Sequence, residues 1–211
     1  MTHPTYKLVY FDLHGLGEQA RLLLSDNGIP FEDERISFDQ WGALKANMAF
    51  GQLPCLYVDG KPLCQSGAIM RHLARQHDLY GSNECDRSMA DMIYEGIKDL
   101  HSKYTTIIYR EYEKKPEFVK DVLPGQLAYF EKLLAARNEG KGPFLLGEKI
   151  CFVDYALFEE CHVLQRMDGE CLAKFPLLKG HFERMANRGT MQAYLQSDNF
   201  VKKPLNGNNK E

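Results

Sequence analysis

The sequence predicts a small α/β domain followed by an all-helical domain, and two observations lead to this fold class. Short strand patterns alternate with helical patterns only over residues 1–78, where a strand–helix–strand order implies one parallel pair of strands. From about residue 86 to residue 195 the strand pattern is lost, and apolar residues recur at helical spacing. We therefore predict domains at 1–78 and 86–211, joined by a linker at 79–85.

The first domain is predicted to contain seven elements in the order β-α-β-α-β-β-α. Its first helix places apolar residues on one face and stops at Gly28, and an Asp-Gly turn joins its last two strands. In chain order, the elements are YKLVYFD, HGLGEQARLLLSDNG, FEDERISF, the short irregular helical piece FDQWGALKANM, CLYV, KPLC and SGAIMRHLARQHD.

The second domain is predicted to be helical throughout, with an irregular polar tail, VKKPLNGNNKE. Pro124 and Gly125 interrupt its second helical stretch, which indicates either a kink or a new helix start. The predicted helical stretches are 86–113, 115–140, 154–167 and 176–188.

Composition and charge exclude several function classes. The net charge is −3 and Lys and Arg form no dense block, so nucleic acid is not expected as a partner. Apolar runs stay well short of the roughly 20 residues that a membrane helix needs, so no membrane insertion is expected. The first residues lack the pattern of a secretory signal, so the expected location is the cytoplasm.

The cysteine spacing favours free thiols. The sequence contains no CxxC motif and no Cys/His cluster with zinc spacing, so no metal site is predicted. In a reducing cytosol these residues are expected to remain reduced, most of them as small core residues. The six cysteines are at positions 55, 64, 85, 151, 161 and 171.

An ordered set of segments resembles the cytosolic glutathione S-transferases, most closely their pi class, with the sigma class as the nearest alternative. The resemblance runs over nearly the whole chain. It implies a thioredoxin-like domain that binds glutathione, a helical-bundle domain that contributes the electrophile site, a homodimer, and reduced glutathione as co-substrate with no cofactor. The matching segments are YKLVYF, GQLPCL, QSGAIMRHLAR, DLHSKYTTIIY, LPGQL, DYALFE, FPLL and LNGNNK.

Tyr10 is the catalytic residue that the resemblance implies. A free thiol has a pKa of about 8.5, so an enzyme that adds this sulfur to an electrophile must favour the thiolate. A hydroxyl that donates a hydrogen bond to sulfur lowers that pKa. Tyr10 ends the first strand, where a side chain can face a crevice. Without the resemblance, the sequence favours a packing role for this strand aromatic.

The middle and the γ-glutamyl end of glutathione are assigned to two neighbouring segments. The resemblance implies a cis Pro54 that exposes the backbone of Leu53 to the cysteinyl part, with Gln52 beside it. Gln65 and Ser66 open a helix whose N–H groups can bind the γ-glutamyl carboxylate. The structural alternatives are a strand-initiating proline and a Ser66 N-cap.

The resemblance assigns the other site residues by position. Trp41 and Lys45 suit the glycine carboxylate, although a core Trp beside a solvated Lys is the alternative. Asp99 is expected to reach the γ-glutamyl ammonium across a dimer interface, its alternative being a solvated helix carboxylate. The electrophile site is assigned to Phe11, Leu13 and Tyr109, and the dimer contact to Phe50 with Met92 and Gly96.

Three positions depart from the family pattern. Leu16 replaces a usual arginine, Cys151 replaces a capping Ser or Thr, and Gly189 replaces a usual proline.

Three functions stay open. The first is glutathione conjugation to hydrophobic electrophiles. The second is non-catalytic binding of glutathione or a hydrophobic ligand on the same scaffold. The third, thiol–disulfide exchange on the first domain, would need a cysteine near residue 10, and FDLHG has none.

Overall fold

The computed structural model describes residues 4–136 and 142–211, which form two compact units. The first unit contains residues up to 77 together with 188–209, and the second contains 78–187 together with 210 and 211. The end of the predicted helical stretch 115–140 and the first three residues of the chain lie outside the described residues. The sequence analysis placed 188–209 in the helical domain. The boundaries 1–78, 79–85 and 86–211 stay a prediction.

The first unit is built on a four-stranded mixed sheet with the order β2-β1-β3-β4. The parallel pairing of β1 with β2 and the antiparallel hairpin of β3 and β4 were both predicted. The hairpin turns through Asp59 and Gly60, which both have positive φ, as a two-residue turn requires. The strands are β1 (Tyr6–Phe11), β2 (Glu32–Ile36), β3 (Cys55–Val58) and β4 (Lys61–Cys64).

Helices account for most of the remaining chain. Single turns of 3-10 helix occupy Gly15–Gly17, Lys45–Asn47 and Tyr112–Lys114, and a π-helical segment occupies Phe118–Val122. The α-helices are α1 (Glu18–Asp26), α2 (Phe38–Leu44), α3 (Ser66–Gln76), α4 (Glu84–Tyr109), α5 (Lys115–Glu117), α6 (Leu123–Ala136), α7 (Phe152–Met167), α8 (Pro176–Ala186), α9 (Gly189–Leu195) and α10 (Asp198–Val201).

The core of the first unit follows from the alternation of β1 and the apolar faces of α1 and α3. Leu8 of β1 is completely buried, as are Leu23 of α1 and Ile69 and Leu73 of α3. Each such side chain contributes about 1.5–3 kcal/mol through burial. The core therefore fixes the carboxyl end of β1, where Tyr10 lies.

The second unit is a helical bundle, as predicted, in which α7 is buried along most of its length. Pro124 lies just after the π-helical segment Phe118–Val122, and helical backbone continues without a break from Lys115 to Ala136. The predicted interruption is therefore a local change of helix type, and the alternative of a new helix start is wrong. Among the described residues, no helix has the length and apolar character needed to cross a membrane.

Cys151 is the N-cap of α7 and forms a capping box with Asp154, although sulfur is a weak acceptor. The Asp154 carboxylate accepts the Cys151 N–H at 2.8 Å and also bonds the Leu145 N–H and His181 Nε2 at 2.9 Å. The Cys151 side chain is buried, and burial raises the pKa of its thiol to about 12. Cys151, which stands where the family has a capping Ser or Thr, is therefore also a packed core residue.

Helices α9 and α10 were not predicted, and they pack within the first unit. Asp26, at the end of α1, accepts hydrogen bonds from Arg188 Nε at 2.6 Å and from the Thr190 hydroxyl at 2.9 Å. Gly189 begins α9, directly after Arg188. Gly189, which stands where the family usually has proline, thus lies next to the Arg188–Asp26 ion pair that anchors α9.

Candidate active site

Tyr10 ends up inside a tight loop at the carboxyl end of β1. Its side chain is 8% exposed, and its hydroxyl accepts a hydrogen bond from the Leu16 N–H at 3.1 Å. A hydroxyl can accept and donate at the same time, so this bond does not use the tyrosine's proton. The contact orients the phenol and makes its O–H a stronger donor.

Two glycines make this loop possible, and the sequence analysis missed both. A Cβ at Gly15 would lie 2.6 Å from the Tyr10 hydroxyl oxygen, and one at Gly17 would lie 2.7 Å from the Tyr10 Cδ1 atom. Gly15 also has a φ of +44°, which favours glycine. The closely spaced glycines of HGLG were the available signal, because close approach of backbone to a side chain requires glycine.

A buried ionic network lies beside the tyrosine. The Arg21 guanidinium carbon lies 5.7 Å from the centre of the Tyr10 ring. Arg21 is completely buried and donates to Glu18 at 2.9 Å, to Asp33 at 2.9 Å and to the Leu13 carbonyl at 2.8 Å. Burial alone would lower the pKa of Arg21, but the two carboxylates outweigh it and raise this pKa. Arg21 is therefore held rigidly beside the Tyr10 ring, with its charge balanced by Glu18 and Asp33.

The described residues of the first unit form an open cleft of about 310 Å³ next to this loop. The Tyr10 hydroxyl is connected to it through Leu16, which is one of the lining residues. The cleft brings together seven residues that were assigned to binding from the sequence, and they come from four separate segments. The lining residues are Phe11, Leu16, Trp41, Gly51, Gln52, Leu53, Pro54, Gln65 and Ser66.

The predicted cis peptide bond is confirmed between Leu53 and Pro54, but the predicted alternative of a Ser66 N-cap is wrong. Ser66 is the first residue of α3, and the N-cap is Gln65, whose φ of 74° is rare for a non-glycine residue. The Gln65 side chain makes no capping bond; its amide instead donates to Gln52 at 3.5 Å, across the cleft. The helix start is thus left facing the cleft without a side-chain cap.

Aromatic rings form one wall of the cleft. Phe11 stacks on Phe38 with ring centroids 4.5 Å apart and meets the Trp41 ring edge-on at 5.9 Å. Phe11 was assigned to the electrophile site, and it lies at the cleft that also contains the predicted glutathione residues. Leu13 is buried, and the described lining of the cleft does not include it.

Several predicted residues lie outside this cleft. Lys45 is exposed and runs beside Gly51, with its Cε 3.5 Å from the position of a Cβ there. Phe50 is 67% exposed in the first unit. The other four lie on the second unit's α4, where Met92, Gly96 and Asp99 follow an i, i+4, i+7 spacing and are all exposed, as is Tyr109. Their assigned roles stay predictions.

The described residues contain no group of three or more His, Cys, Asp or Glu side chains arranged to hold a metal ion. The groups in and beside the cleft are the buried Tyr10 phenol, the start of α3, the Trp41 indole and the amides of Gln52 and Gln65. Such groups bind and polarise an anionic ligand.

Comparisons with known proteins agree with this arrangement. The family model described as "Glutathione S-transferase, N-terminal domain" matches residues 6–75, and "Glutathione S-transferase, C-terminal domain" matches residues 98–198. The chain is 51% identical over 208 residues to "Glutathione S-transferase" of Dirofilaria immitis, and 47% identical over 208 residues to "Glutathione S-transferase P" of Caenorhabditis elegans. Each alignment covers 98% of this chain and 100% of the relative.

A solved structure gives the same result. The pi-class glutathione S-transferase of Onchocerca volvulus superposes with a TM-score of 0.94 at 49% identity, covering 98% of this chain and 99% of that one. The resemblance to the pi class and the predicted thioredoxin-like and helical domains are confirmed. The chain therefore belongs to the glutathione S-transferase family, and within it to the pi class.

Proposed function

We propose that this protein is a transferase that joins the sulfur of reduced glutathione to hydrophobic electrophiles. The observation that carries the proposal is the placement of Tyr10. Its buried hydroxyl is held by the Leu16 N–H, and Leu16 lines a cleft with the uncapped start of α3. A phenol that donates to the glutathione sulfur favours the thiolate and so raises the concentration of the nucleophile at neutral pH.

The cleft suggests a position for each part of glutathione. The Leu53 backbone next to cis Pro54 forms strand-like hydrogen bonds with the cysteinyl part, so that glutathione adds one strand residue at this edge. Gln52 lies beside it. The uncapped N–H groups at Gln65 and Ser66 bind the γ-glutamyl carboxylate. Trp41 and Lys45 bind the glycine carboxylate through an indole N–H and an ammonium. Glutathione acts as co-substrate, and no cofactor takes part in this reaction.

The electrophile meets the sulfur beside apolar and aromatic side chains. Phe11 provides a ring at the cleft. The family resemblance also assigns Leu13 and Tyr109 to binding of the electrophile. Tyr109 is the last residue of α4, and its hydroxyl can donate to a negative charge that develops on the electrophile.

The active form is a cytoplasmic homodimer. The exposed Phe50 ring inserts between the helices of a second copy, where Met92 and Gly96 form its pocket. Asp99, one turn further along the same face of α4, reaches the γ-glutamyl ammonium of the partner's glutathione. An exposed phenylalanine is costly in water unless another surface covers it, which is what supports this contact.

Replacing Tyr10 with phenylalanine tests the catalytic assignment. Tyr10→Phe should bind glutathione nearly as well as the wild type, lower kcat, and shift the pH profile of the rate alkaline by about one unit, because only thiol ionisation is affected. Steady-state kinetics with a model electrophile, together with glutathione titration calorimetry, measure these effects. Tyr129→Phe is the matched control, since Tyr129 is an exposed tyrosine of the second unit.

An unchanged rate and pH profile in Tyr10→Phe would assign thiol activation to another group. A wild-type protein that binds glutathione but turns over no electrophile would favour the non-catalytic binding function instead.

The dimer has a separate test. Phe50→Ser should weaken self-association, measured by sedimentation velocity, and should weaken glutathione affinity with it. Val201→Ser, at another exposed apolar residue, should change neither.

A further inference from the structure

Two cysteines face each other across the β3–β4 hairpin. Cys55 pairs with Cys64 in the strand register, three residue pairs away from the Val58–Lys61 pair that closes the turn. Paired residues in an antiparallel ladder alternate between hydrogen-bonded and non-hydrogen-bonded pairs, and a two-residue turn is closed by a hydrogen-bonded pair. Cys55 and Cys64 therefore form a non-hydrogen-bonded pair. The intervening Pro62, which has no N–H, occupies a non-hydrogen-bonded position in the same alternation.

This position brings the two thiols within bonding reach. Opposite residues of a non-hydrogen-bonded pair have Cα atoms about 4.5 Å apart, inside the range of about 4.4–6.8 Å that disulfides span. Both cysteines are free. Burial raises the pKa of the Cys55 thiol to about 12, and a hydrogen bond with the Cys64 thiol adds to this effect. The two sulfur atoms are thus already neighbours in the reduced protein.

The pair also forms part of the floor beneath the cleft. Cys55 is completely buried and Cys64 is 8% exposed, and both pack in a small core with Met48. Trp41 and Leu53, which line the cleft, pack against this same core. In sequence, Cys55 follows Pro54 and Cys64 precedes Gln65, so each cysteine adjoins a lining residue.

We propose that Cys55 and Cys64 are a modification site, a dithiol that glutathione disulfide and similar small disulfides oxidise to a cross-strand disulfide. Cys64 is the entry point because it is the more exposed of the two thiols. This chemistry is separate from the transfer reaction proposed above and needs no turnover of an electrophile.

The reaction proceeds by two exchanges. The Cys64 thiol loses its proton to solvent and attacks one sulfur of glutathione disulfide, forming a mixed disulfide and releasing one glutathione thiolate, which takes up a proton. The Cys55 thiol then loses its proton and attacks the Cys64 sulfur, and the second glutathione leaves as the protein disulfide forms. Two protein thiols are oxidised, and one glutathione disulfide is reduced to two glutathione molecules.

Closing the bond should change the cleft. A disulfide most often spans Cα atoms about 5.5–6 Å apart, so the short reduced spacing must widen or the strands must twist. Trp41 and Leu53 rest on the pair, and their positions should shift with it. Since Trp41 is the only tryptophan of the chain, its fluorescence reports on this site alone.

Peptide mapping tests the proposal directly. Trypsin cleaves after Lys45 and Arg71 but not after Lys61, which precedes Pro62, so one peptide of residues 46–71 contains both cysteines and no others. The reduced protein is incubated in glutathione buffers of rising disulfide fraction, alkylated in denaturant and digested. We expect peptide 46–71 to lose two hydrogens and both alkylation sites, with a parallel fall in Trp41 fluorescence.

Two variants serve as controls. Cys64→Ala should abolish the fluorescence change, and Cys85→Ala, which removes an exposed thiol of the second unit, should preserve it. If Cys64→Ala does not fold, peptide mapping of the wild type still decides the question. Two alkylated cysteines in peptide 46–71, under conditions that glutathionylate Cys85, would overturn the proposal. So would a lasting mixed disulfide at Cys64 that never closes. None of these readouts depends on transferase activity.

Discussion

Helices α1 and α2 both stand next to the cleft residues, and they differ in almost every physical respect. In α1, eight of nine residues are buried, including Glu18 and Arg21, whereas α2 has no buried residue. Helix α1 is connected to the Tyr10 loop in the interior of the first unit by the hydrogen bond from Arg21 to the Leu13 carbonyl. Helix α2 carries Trp41 in a short, exposed segment that a capping box at Ser37 begins.

The difference corresponds to the two tasks of the site. A group that alters the ionisation of a sulfur atom must be placed accurately, since a misplacement of about 1 Å can cost 10²-fold in rate. A group that binds a flexible carboxylate can adjust after the ligand arrives, because charge attraction tolerates small displacements. We infer that α1 supplies fixed geometry and α2 supplies adaptable binding, and substitutions in the two helices can test this contrast.

The largest expected effect is on stability, at Arg21. Arg21→Met should lower the free energy of unfolding by about 3–5 kcal/mol, because it leaves the buried Glu18 carboxylate without its ion-pair partner. Chemical denaturation measures the change. Lys45→Met, an exposed cation on the α2 side, should stay within about 0.5 kcal/mol of the wild type. Equal losses of stability in Arg21→Met and Lys45→Met would contradict the proposed difference between α1 and α2.

The next largest effect is on catalysis, and it compares Gly17, next to the Tyr10 ring, with Gly42 of α2. Gly17→Ala should lower kcat/KM by about 10²-fold, because the new Cβ would lie 2.7 Å from the Tyr10 ring and must displace it. Gly42→Ala, in α2, meets no atom within 4 Å and should leave activity unchanged while stabilising the helix by about 0.5–1 kcal/mol. A fully active Gly17→Ala would show that the Tyr10 loop adapts as readily as α2.

Trp41 should affect binding rather than chemistry. Under the proposed function, Trp41→Phe removes a hydrogen bond to a charged group and should raise the KM for glutathione by roughly tenfold, with little change in kcat. Steady-state kinetics compared with Tyr10→Phe separates the two roles, since that variant should lower kcat. A fall in kcat at constant KM in Trp41→Phe would place this indole in the chemical step.

The smallest effect concerns the start of α2. The Ser37 hydroxyl accepts the Gln40 N–H at 3.3 Å, and the Gln40 side chain accepts the Ser37 N–H at 2.8 Å. Ser37→Ala should cost about 0.5–1 kcal/mol of stability, measured by thermal unfolding. Ser88→Ala, at an exposed position inside α4, should cost nothing, because alanine is the better helix former there. A larger loss at Ser88 would contradict the capping argument.

The sequence predicted those features that depend on local pattern. The strand alternation of β1, the Asp-Gly hairpin and the helical periodicity of α3 each extend over a few residues, and all three elements form where expected. The resemblance supplied the cis bond before Pro54 and seven of the residues that line the cleft. These are features for which neighbouring residues carry most of the information.

What the sequence did not reveal depends on residues distant in the chain. The glycines at 15 and 17 matter only because the Tyr10 ring lies against them, and Arg21 matters because Asp33 comes from the neighbouring strand. The cap at Gln65 was missed because its positive φ has no local signal in a glutamine. Helices α9 and α10 are short, so their periodicity is weak. Tertiary bonds to Asp26 hold α9, and the bond between His14 and the Phe200 carbonyl holds α10.

The tail that packs in the first unit makes the catalytic loop depend on completion of the chain. His14 donates through Nε2 to the Phe200 carbonyl, and these residues are 186 positions apart. The Gly15 N–H likewise donates to the Leu205 carbonyl. At a synthesis rate of roughly 5–20 residues per second, the loop waits on the order of 10–40 s on the ribosome before these partners emerge. A prematurely terminated chain therefore carries Tyr10 but cannot complete the loop that holds it, and only full-length molecules acquire the finished site.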